Sequence, residues 1–308
     1  MKKLFTHTDL DGIGCAVLAK LAFGPEIDIS FCTPYTINTE VDSFISNENG
    51  AERCHITDIS ISEDVAEKIN QKSVGFQLLD HHPTAMHLNK YTWCMVKIED
   101  EKTHIKTCGT ELYYHWLAEN RFLRRSDALD RFAEIVRDYD TWRWPELGED
   151  GIICKQVNDL FWLYGREEFI QWCIDEIRAG DFPKFYAADK RALQIRQREI
   201  EDYIKEKNEE LIIGTLCGRS CGFVFAGRFF SELGNRLCQL HPEIDFIAMI
   251  DTDGTISYRT VKDDLDLGKD IAATFGGGGH PKAAGSSFPQ NVFRHMLTEI
   301  FQGHLSNV

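Results

Sequence analysis

Residues 77–84 read QLLDHHPT, an apolar run that ends in a carboxylate and two adjacent imidazoles. With Val74, Gly75 and Phe76 ahead of it, the run has the length and apolarity of a buried strand. Charged groups are costly to bury unpaired, so this strand either ends at solvent or ends where something binds Asp80, His81 and His82. The preceding chain sets the context. KKLF (2–5), IDISFC (27–32) and RCHITDI (53–59) read as strands, while DGIGCAVLAKLAF (11–23) and SEDVAEKINQ (62–71) read as helices. The first helix carries Ile13, Ala16, Val17 and Leu18 on one side, and Ser62 with the acids after it fits the start of the second. Strands separated by helices imply a parallel sheet, and such sheets collect their binding groups at the C-terminal strand ends.

Those ends share a chemistry. After the first strand comes HTDLDG, with His7, Asp9 and Asp11 at alternate positions, which point the same way in extended backbone. Asp58 follows the third strand, and Asp80, His81 and His82 follow the fourth. A helical stretch (108–136) then leads to RDYDTWRW, with Asp138 and Asp140. Mixed Asp and His donors without a thiolate suit Mn²⁺, Mg²⁺ or another divalent ion. Without cations, converging carboxylates would repel one another. Each piece alone has an ordinary reading: Asp11 as a helix cap, adjacent histidines as surface residues, His55 as a packed side chain. Their joint occurrence at successive strand ends is the specific signal.

Composition narrows the function classes. The chain has 308 residues, 43% hydrophobic and 27% charged, enough for two domains with real cores. No apolar stretch approaches the ~20 residues that span a bilayer, so no membrane role is expected. The opening MKKLF reads as a strand rather than a signal peptide, and ten scattered cysteines without a CxxC pair suggest a reducing, cytoplasmic setting. The net charge of −15 argues against a broad grip on long duplex nucleic acid. A short polyanion can still bind where metal ions or a few arginines supply local positive charge.

Downstream, 184–211 is charge-rich with sparse apolar positions, as expected of a connecting helix. Beyond it, CGFVFAG and DFIAMIDTDGTISYRT read as strands, the second a hairpin turning at Asp253-Gly254. FFSELGNRLCQL and LGKDIAATF read as helices. Residues 276–280, GGGGH, allow close backbone approach, so consecutive N–H groups could form an anion-binding concavity.

HTDLDG, Asp58, LLDHHP, DYDTW and GGGGHPKAAG together resemble the DHH phosphoesterase superfamily with its DHH-associated C-terminal domain. The opening H-x-D-L-D-G is similar to that of the oligoribonuclease (nanoRNase) B group. Family II pyrophosphatases space the first motif more widely and lack the glycine-rich motif. The resemblance implies an α/β architecture: a parallel-sheet DHH catalytic domain (1–183), a linker helix (184–211) and a smaller α/β DHH-associated, substrate-binding domain (212–308). It implies two divalent ions, Mn²⁺ before Mg²⁺ or Co²⁺, with His7 and Asp9 on one, Asp11, His81 and Asp140 on the other, and Asp58 bridging. Asp138 is the weaker alternative to Asp140. Asp80 would orient His81 through a hydrogen bond, and His82 would reach the substrate phosphate.

In the second domain, the resemblance assigns substrate contacts to Gly277, Gly278, Gly279, His280 and Arg259. Ser231 and Asn235 are candidates for a base or sugar, and helix capping is the ordinary alternative for Ser231. Tyr258, Phe275 and Trp142 are candidates for stacking on a base, with core packing the ordinary alternative. The implied activity is two-metal phosphodiester hydrolysis of short oligoribonucleotides or dinucleotides, from the 3′ end to 5′-mononucleotides. The enzyme alternatives are a 3′-phosphoadenosine 5′-phosphate phosphatase and a cyclic nucleotide or dinucleotide phosphodiesterase; the non-enzyme alternative is a nucleotide-binding sensor. A homodimer is compatible with all of these.

Overall fold

The computed structural model describes residues 2–47, 53–72 and 75–301. Val74, expected to open the fourth strand, and residues 302–308 of the expected C-terminal domain lie outside the described residues. The chain divides into two compact units, residues 1–193 and 194–308.

The N-terminal unit begins β1 (Lys2–Thr6), α1 (Leu10–Phe23), β2 (Asp28–Phe31), α2 (Ile37–Asn47), β3 (Arg53–Thr57), α3 (Glu63–Asn70), β4 (Gly75–Asp80) and β5 (Cys94–Val96). The five strands form one sheet in the order β2-β1-β3-β4-β5, and every pairing is parallel. Side chains alternate between its faces as strand geometry requires. Leu4 and Leu79 join the core that contains α1; Phe5, Cys54, Ile56 and Leu78 join the core that contains α2 and α3. Coverage of both faces explains why these strands read as nearly continuous apolar runs.

Four helices complete the first of these cores: α4 (Gly109–Glu119), α5 (Asp127–Asp140), α6 (Glu149–Tyr164) and α7 (Arg166–Ala179). They contribute the buried Tyr113, Phe132, Leu160 and Phe169. Helices α2, α6 and α7 are additions to the elements expected from sequence. Helix α2 buries only Ile37, Val41 and Ile45, a stripe one residue per turn wide and narrower than a surface helix usually shows.

Helix α8 (Ala187–Glu209) occupies most of the expected linker, but the division between units falls inside it. Leu193 belongs to the core of the N-terminal unit; Ile200 and Tyr203 belong to a core of the C-terminal unit, whereas Ile195 is half exposed.

In the C-terminal unit follow β6 (Ile212–Leu216), β7 (Arg219–Phe225), α9 (Phe230–Leu240), β8 (Phe246–Ile250), β9 (Thr255–Arg259), β10 (Gly278–His280), β11 (Ala283–Ser287) and α10 (Gln290–Ile300). The sheet order is β10-β11-β9-β8-β7-β6, with β7 and β8 parallel and the other pairs antiparallel. The hairpin turn stands at Asp253-Gly254, where Gly254 takes φ +97°. LGKDIAATF is not one α-helix: Leu267–Ile271 forms a π turn and Ala272–Phe275 a 3₁₀ turn. A side chain at Gly268 would start 2.5 Å from the Gly279 carbonyl oxygen, so this segment is fitted tightly against β10 rather than free to wind regularly.

No helix among the described residues is long and apolar enough to cross a membrane. All ten cysteines are unpaired.

Candidate metal centre

Parallel pairing lines up the ends of β1, β3 and β4, so the residues just beyond them become neighbours. Thr6 pairs with Thr57, Thr57 pairs with Leu79, and the Asp58 N–H donates to the Leu79 carbonyl at 3.0 Å. Asp58 adopts φ +57°, a left-handed conformation that Asp tolerates better than most residues. The loop after β1 is fixed by Asp9, whose Oδ1 accepts from the Gly12 N–H at 3.1 Å and caps α1. The cap is therefore Asp9, not Asp11. Asp11 is buried in the first turn and accepts from the N–H groups of Gly109 (2.6 Å) and Thr110 (2.7 Å), which open α4.

Two glycines make the approach possible. An added Cβ at Gly12 would lie 2.2 Å from the His7 carbonyl oxygen, and one at Gly109 would lie 2.5 Å from Cβ of Asp58. Gly109 was not among the expected site residues; its signal is the CGT turn that opens α4, which alone does not reveal the contact with Asp58.

Candidate ligand atoms gather in three overlapping groups, each within 4.8 Å: His7, Asp9 and Asp58; Asp11, His81 and Asp140; and Asp58, Asp80, His81 and His82. His81 Nε2 lies 3.2 Å from Asp58 Oδ1, 3.6 Å from Asp140 Oδ2 and 3.7 Å from Asp11 Oδ2. On the other side, His7 Nδ1 lies 2.7 Å from Asp9 Oδ2 and 4.0 Å from Asp58 Oδ2. Asp58 thus turns one oxygen toward each histidine. Its Oδ2 is buried without a hydrogen-bond partner, a deficit that a cation would fill. The donors are oxygen and imidazole nitrogen, which fit hard or borderline divalent ions.

Electrostatics divide the cluster. Burial, then the neighbouring Asp11 and Asp9, push the Asp58 and Asp140 carboxyls well above the usual range. Burial also pushes Asp9 up, but the His7 ring and the Gly12 N–H outweigh it and hold Asp9 well below. Burial lowers His82, but Asp80 more than offsets this and raises it to about 9; Asp80, raised by burial, is in turn brought down by His82 to about 2.

Asp80 is hydrogen-bonded to both histidines. Its Oδ1 takes the ring of His82 (Nδ1, 2.7 Å) and reaches His81 through the backbone N–H (2.8 Å); Ser60 donates to its other oxygen. The two imidazoles sit side by side, their ring centroids 4.4 Å apart. Asp138 is engaged elsewhere. It accepts from Arg137 at 2.9 and 3.0 Å and from Arg143 at 3.1 Å, while Arg137 also binds Glu111 of α4 at 2.8 Å. His55 is buried at an edge-on contact with Tyr113 and Trp116, its Nδ1 2.5 Å from the Tyr113 hydroxyl.

In the C-terminal unit, Arg259 donates to the Ser231 hydroxyl at 3.2 Å, and Asn235 donates to the Ser231 carbonyl at 2.9 Å. Gly234 lets Arg259 lie across α9, since an added Cβ would meet the Arg259 stem at 2.6 Å. The glycine run differs from the expected concavity. Gly276 and Gly277 donate their N–H groups to Ala273 and Ala272, and Gly278–His280 is the edge strand β10. Gly277 and Gly279 give close approach to β11 instead; added Cβ atoms would lie 2.0 Å from the Gly285 carbonyl oxygen and 2.7 Å from that of Ala283. Tyr258 is buried, its hydroxyl 2.8 Å from that of Ser286, so it offers no face for stacking; Phe275 is exposed.

No family model matches the chain. Oligoribonuclease NrnB of Bacillus subtilis (strain 168) is 35% identical over 309 residues, covering 98% of this chain and 76% of that protein. Exonuclease RecJ bound to manganese superposes with a TM-score of 0.58 at 13% identity, over 99% of this chain and 90% of that one. RecJ from Thermus thermophilus in complex with Mg²⁺ gives 0.53 at 12% identity, over 99% of this chain and 50% of that one. The fold is that of the DHH phosphoesterases. Within that class, the chain belongs to the family of oligoribonuclease NrnB.

Proposed function

We propose that this protein hydrolyses short oligoribonucleotides and dinucleotides from the 3′ end, releasing 5′-mononucleotides, with two divalent ions held by the strand-end cluster. Mn²⁺ is the ion we assign, with Mg²⁺ and Co²⁺ as alternatives. The observation that carries this reading is Asp58, with one oxygen toward His7 and Asp9 and the other toward His81, beside Asp11 and Asp140. The family relative, an oligoribonuclease by name, supports the substrate class.

When bound, the ions supply Lewis acidity and an acidified water. In the hydrolysis, a water oxygen bonds to phosphorus and gives up a proton, the bond from phosphorus to the 3′ oxygen breaks, and that oxygen leaves with the electron pair and takes up a proton. Asp80 fixes the His82 ring through Nδ1, which sets Nε2 as the atom that meets the phosphate or the departing oxygen. Asp11 ties the loop after β1 to the start of α4 and keeps His7, Asp9 and Asp58 in one place. In the C-terminal unit, Arg259 is the anchor we assign to a substrate phosphate, because its planar fork binds phosphate oxygens in pairs. Ser231 and Asn235 stand beside it, and His280 on β10 belongs to the same reading. The unpaired cysteines agree with a cytoplasmic setting.

The test is a side-by-side assay of Mn²⁺-loaded protein on a dinucleotide, on 3′-phosphoadenosine 5′-phosphate and on cyclic AMP. The dinucleotide should show the largest kcat/KM and yield two mononucleotides. A larger kcat/KM on either other substrate would replace this reading, and nucleotide binding without turnover under any divalent ion would favour a sensor.

A further inference from the structure

Helix α5 ends at Asp140 with a closure formed by two hydrogen bonds, Arg143 N–H to the Asp138 carbonyl at 3.0 Å and Trp142 N–H to the Tyr139 carbonyl at 3.1 Å. This Schellman pattern needs a left-handed residue, which is usually Gly. Helix α7 meets the requirement with Gly180 at φ +81°, and α4 uses Arg121 at φ +61°, an exposed side chain. In α5 the position falls to Trp142, at φ +58°. A bulky aromatic residue is an outlier there, and strain of this kind collects at functional sites.

Packing does not account for the choice. The core of the N-terminal unit takes in Tyr139 and Trp144, which stack on each other, but does not include Trp142. The Trp142 ring is only partly buried and meets Trp144 edge-on, at 5.4 Å and 73°. Trp144 is itself held, its ring stacked on Tyr139 and packed against the core, and its backbone carbonyl lies against Gly151. Trp142 is therefore braced by Trp144 and only partly buried. It stands two residues past Asp140, within about 7 Å by Cα spacing.

We propose that Trp142 stacks on the nucleobase next to the scissile phosphate and so positions the nucleotide at the metal centre. The proposal rests on the phosphodiesterase reading above. Stacking suits an enzyme that trims oligonucleotides of any sequence, since every base has a π face.

The test compares wild type with Trp142→Gly and Trp142→Phe on the dinucleotide pApA and on an analogue lacking one base. On pApA, Trp142→Gly should lose roughly tenfold to a hundredfold in kcat/KM, mostly through KM, while Trp142→Phe keeps most of it. On the abasic analogue that loses the stacked base, wild type and Trp142→Gly should converge. Because Gly suits the left-handed position, the Tm of Trp142→Gly should equal or exceed that of wild type. Wild-type kcat/KM for Trp142→Gly on pApA, an equal loss on every abasic analogue, or a marked fall in Tm would each overturn the stacking role. Absence of pApA hydrolysis by the wild type would instead overturn the functional reading beneath it.

Discussion

Asp58 is buried among Asp9, Asp11 and Asp140, and its backbone is left-handed. Asn fits the same conformation and volume but carries no charge. Asp58→Asn should therefore cut hydrolysis by about a hundredfold or more, yet leave the metal-free protein as stable as wild type or more so. Relief of even about 1 kcal/mol of repulsion would raise Tm by roughly 2–4 °C, readable by calorimetry in chelator. The Asp80–His82 pair gives a pH signature. His82 is raised from 6.5 to about 9, so its contribution to stability is full below pH 6.5 and disappears as pH rises through about 9. Asp80 is lowered from 3.8 to about 2, so its contribution is full above pH 3.8 and is lost as pH falls through about 2. The Tm difference between metal-free wild type and His82→Gln should be widest between those ranges and narrow toward both ends; a flat difference would refute the pairing. At this scale the sequence is informative about which residues stand at strand ends, because period-two alternation and parallel order determine that. It is silent on which of two adjacent imidazoles Asp80 takes, since that depends on side-chain rotation.

Among the elements, the meeting of β3 with the start of α4 determines the shape of the centre. Gly109→Ala would drive a methyl group into Asp58 at 2.5 Å from its Cβ and 2.9 Å from its Cα. Overpacking of that kind costs about 1–3 kcal/mol, and displacement of the carboxylate should weaken Mn²⁺ binding by roughly 10- to 100-fold. Chemical denaturation and a metal titration on the same variant check both figures; unchanged affinity would show that α4 does not shape the site. This contact is hidden in sequence because a single Gly before a helix reads as a helix start, while its partner lies on a distant strand. The glycine run shows the opposite problem. Four consecutive glycines suggest an open anion nest, but Gly277 and Gly279 use their freedom to lie against β11. Composition reports that backbone must come close to something, without saying to what.

Across the whole molecule, the acidic balance and the metal centre belong together. The clustered carboxylates of Asp9, Asp11, Asp58 and Asp140, in a chain of net charge −15, would repel a phosphate unless cations offset them. Binding to the folded state alone stabilises it, by about 2.7 kcal/mol at a hundredfold excess over Kd. Mn²⁺ should accordingly raise the Tm of the metal-free protein, and a chelator should reverse the rise. The two-unit plan was legible from the charge-rich stretch at 184–211, but the division within α8 was not, because Leu193, Ile200 and Tyr203 sit on one continuous helix and differ only in the core that each one joins. The most direct test follows hydrolysis of a dinucleotide while metal-free protein is titrated with Mn²⁺, for wild type and Asp58→Asn. Wild-type activity should saturate at two ions per chain, and the variant should stay inactive throughout. Full turnover in chelator, or undiminished turnover by Asp58→Asn, would contradict the two-ion proposal.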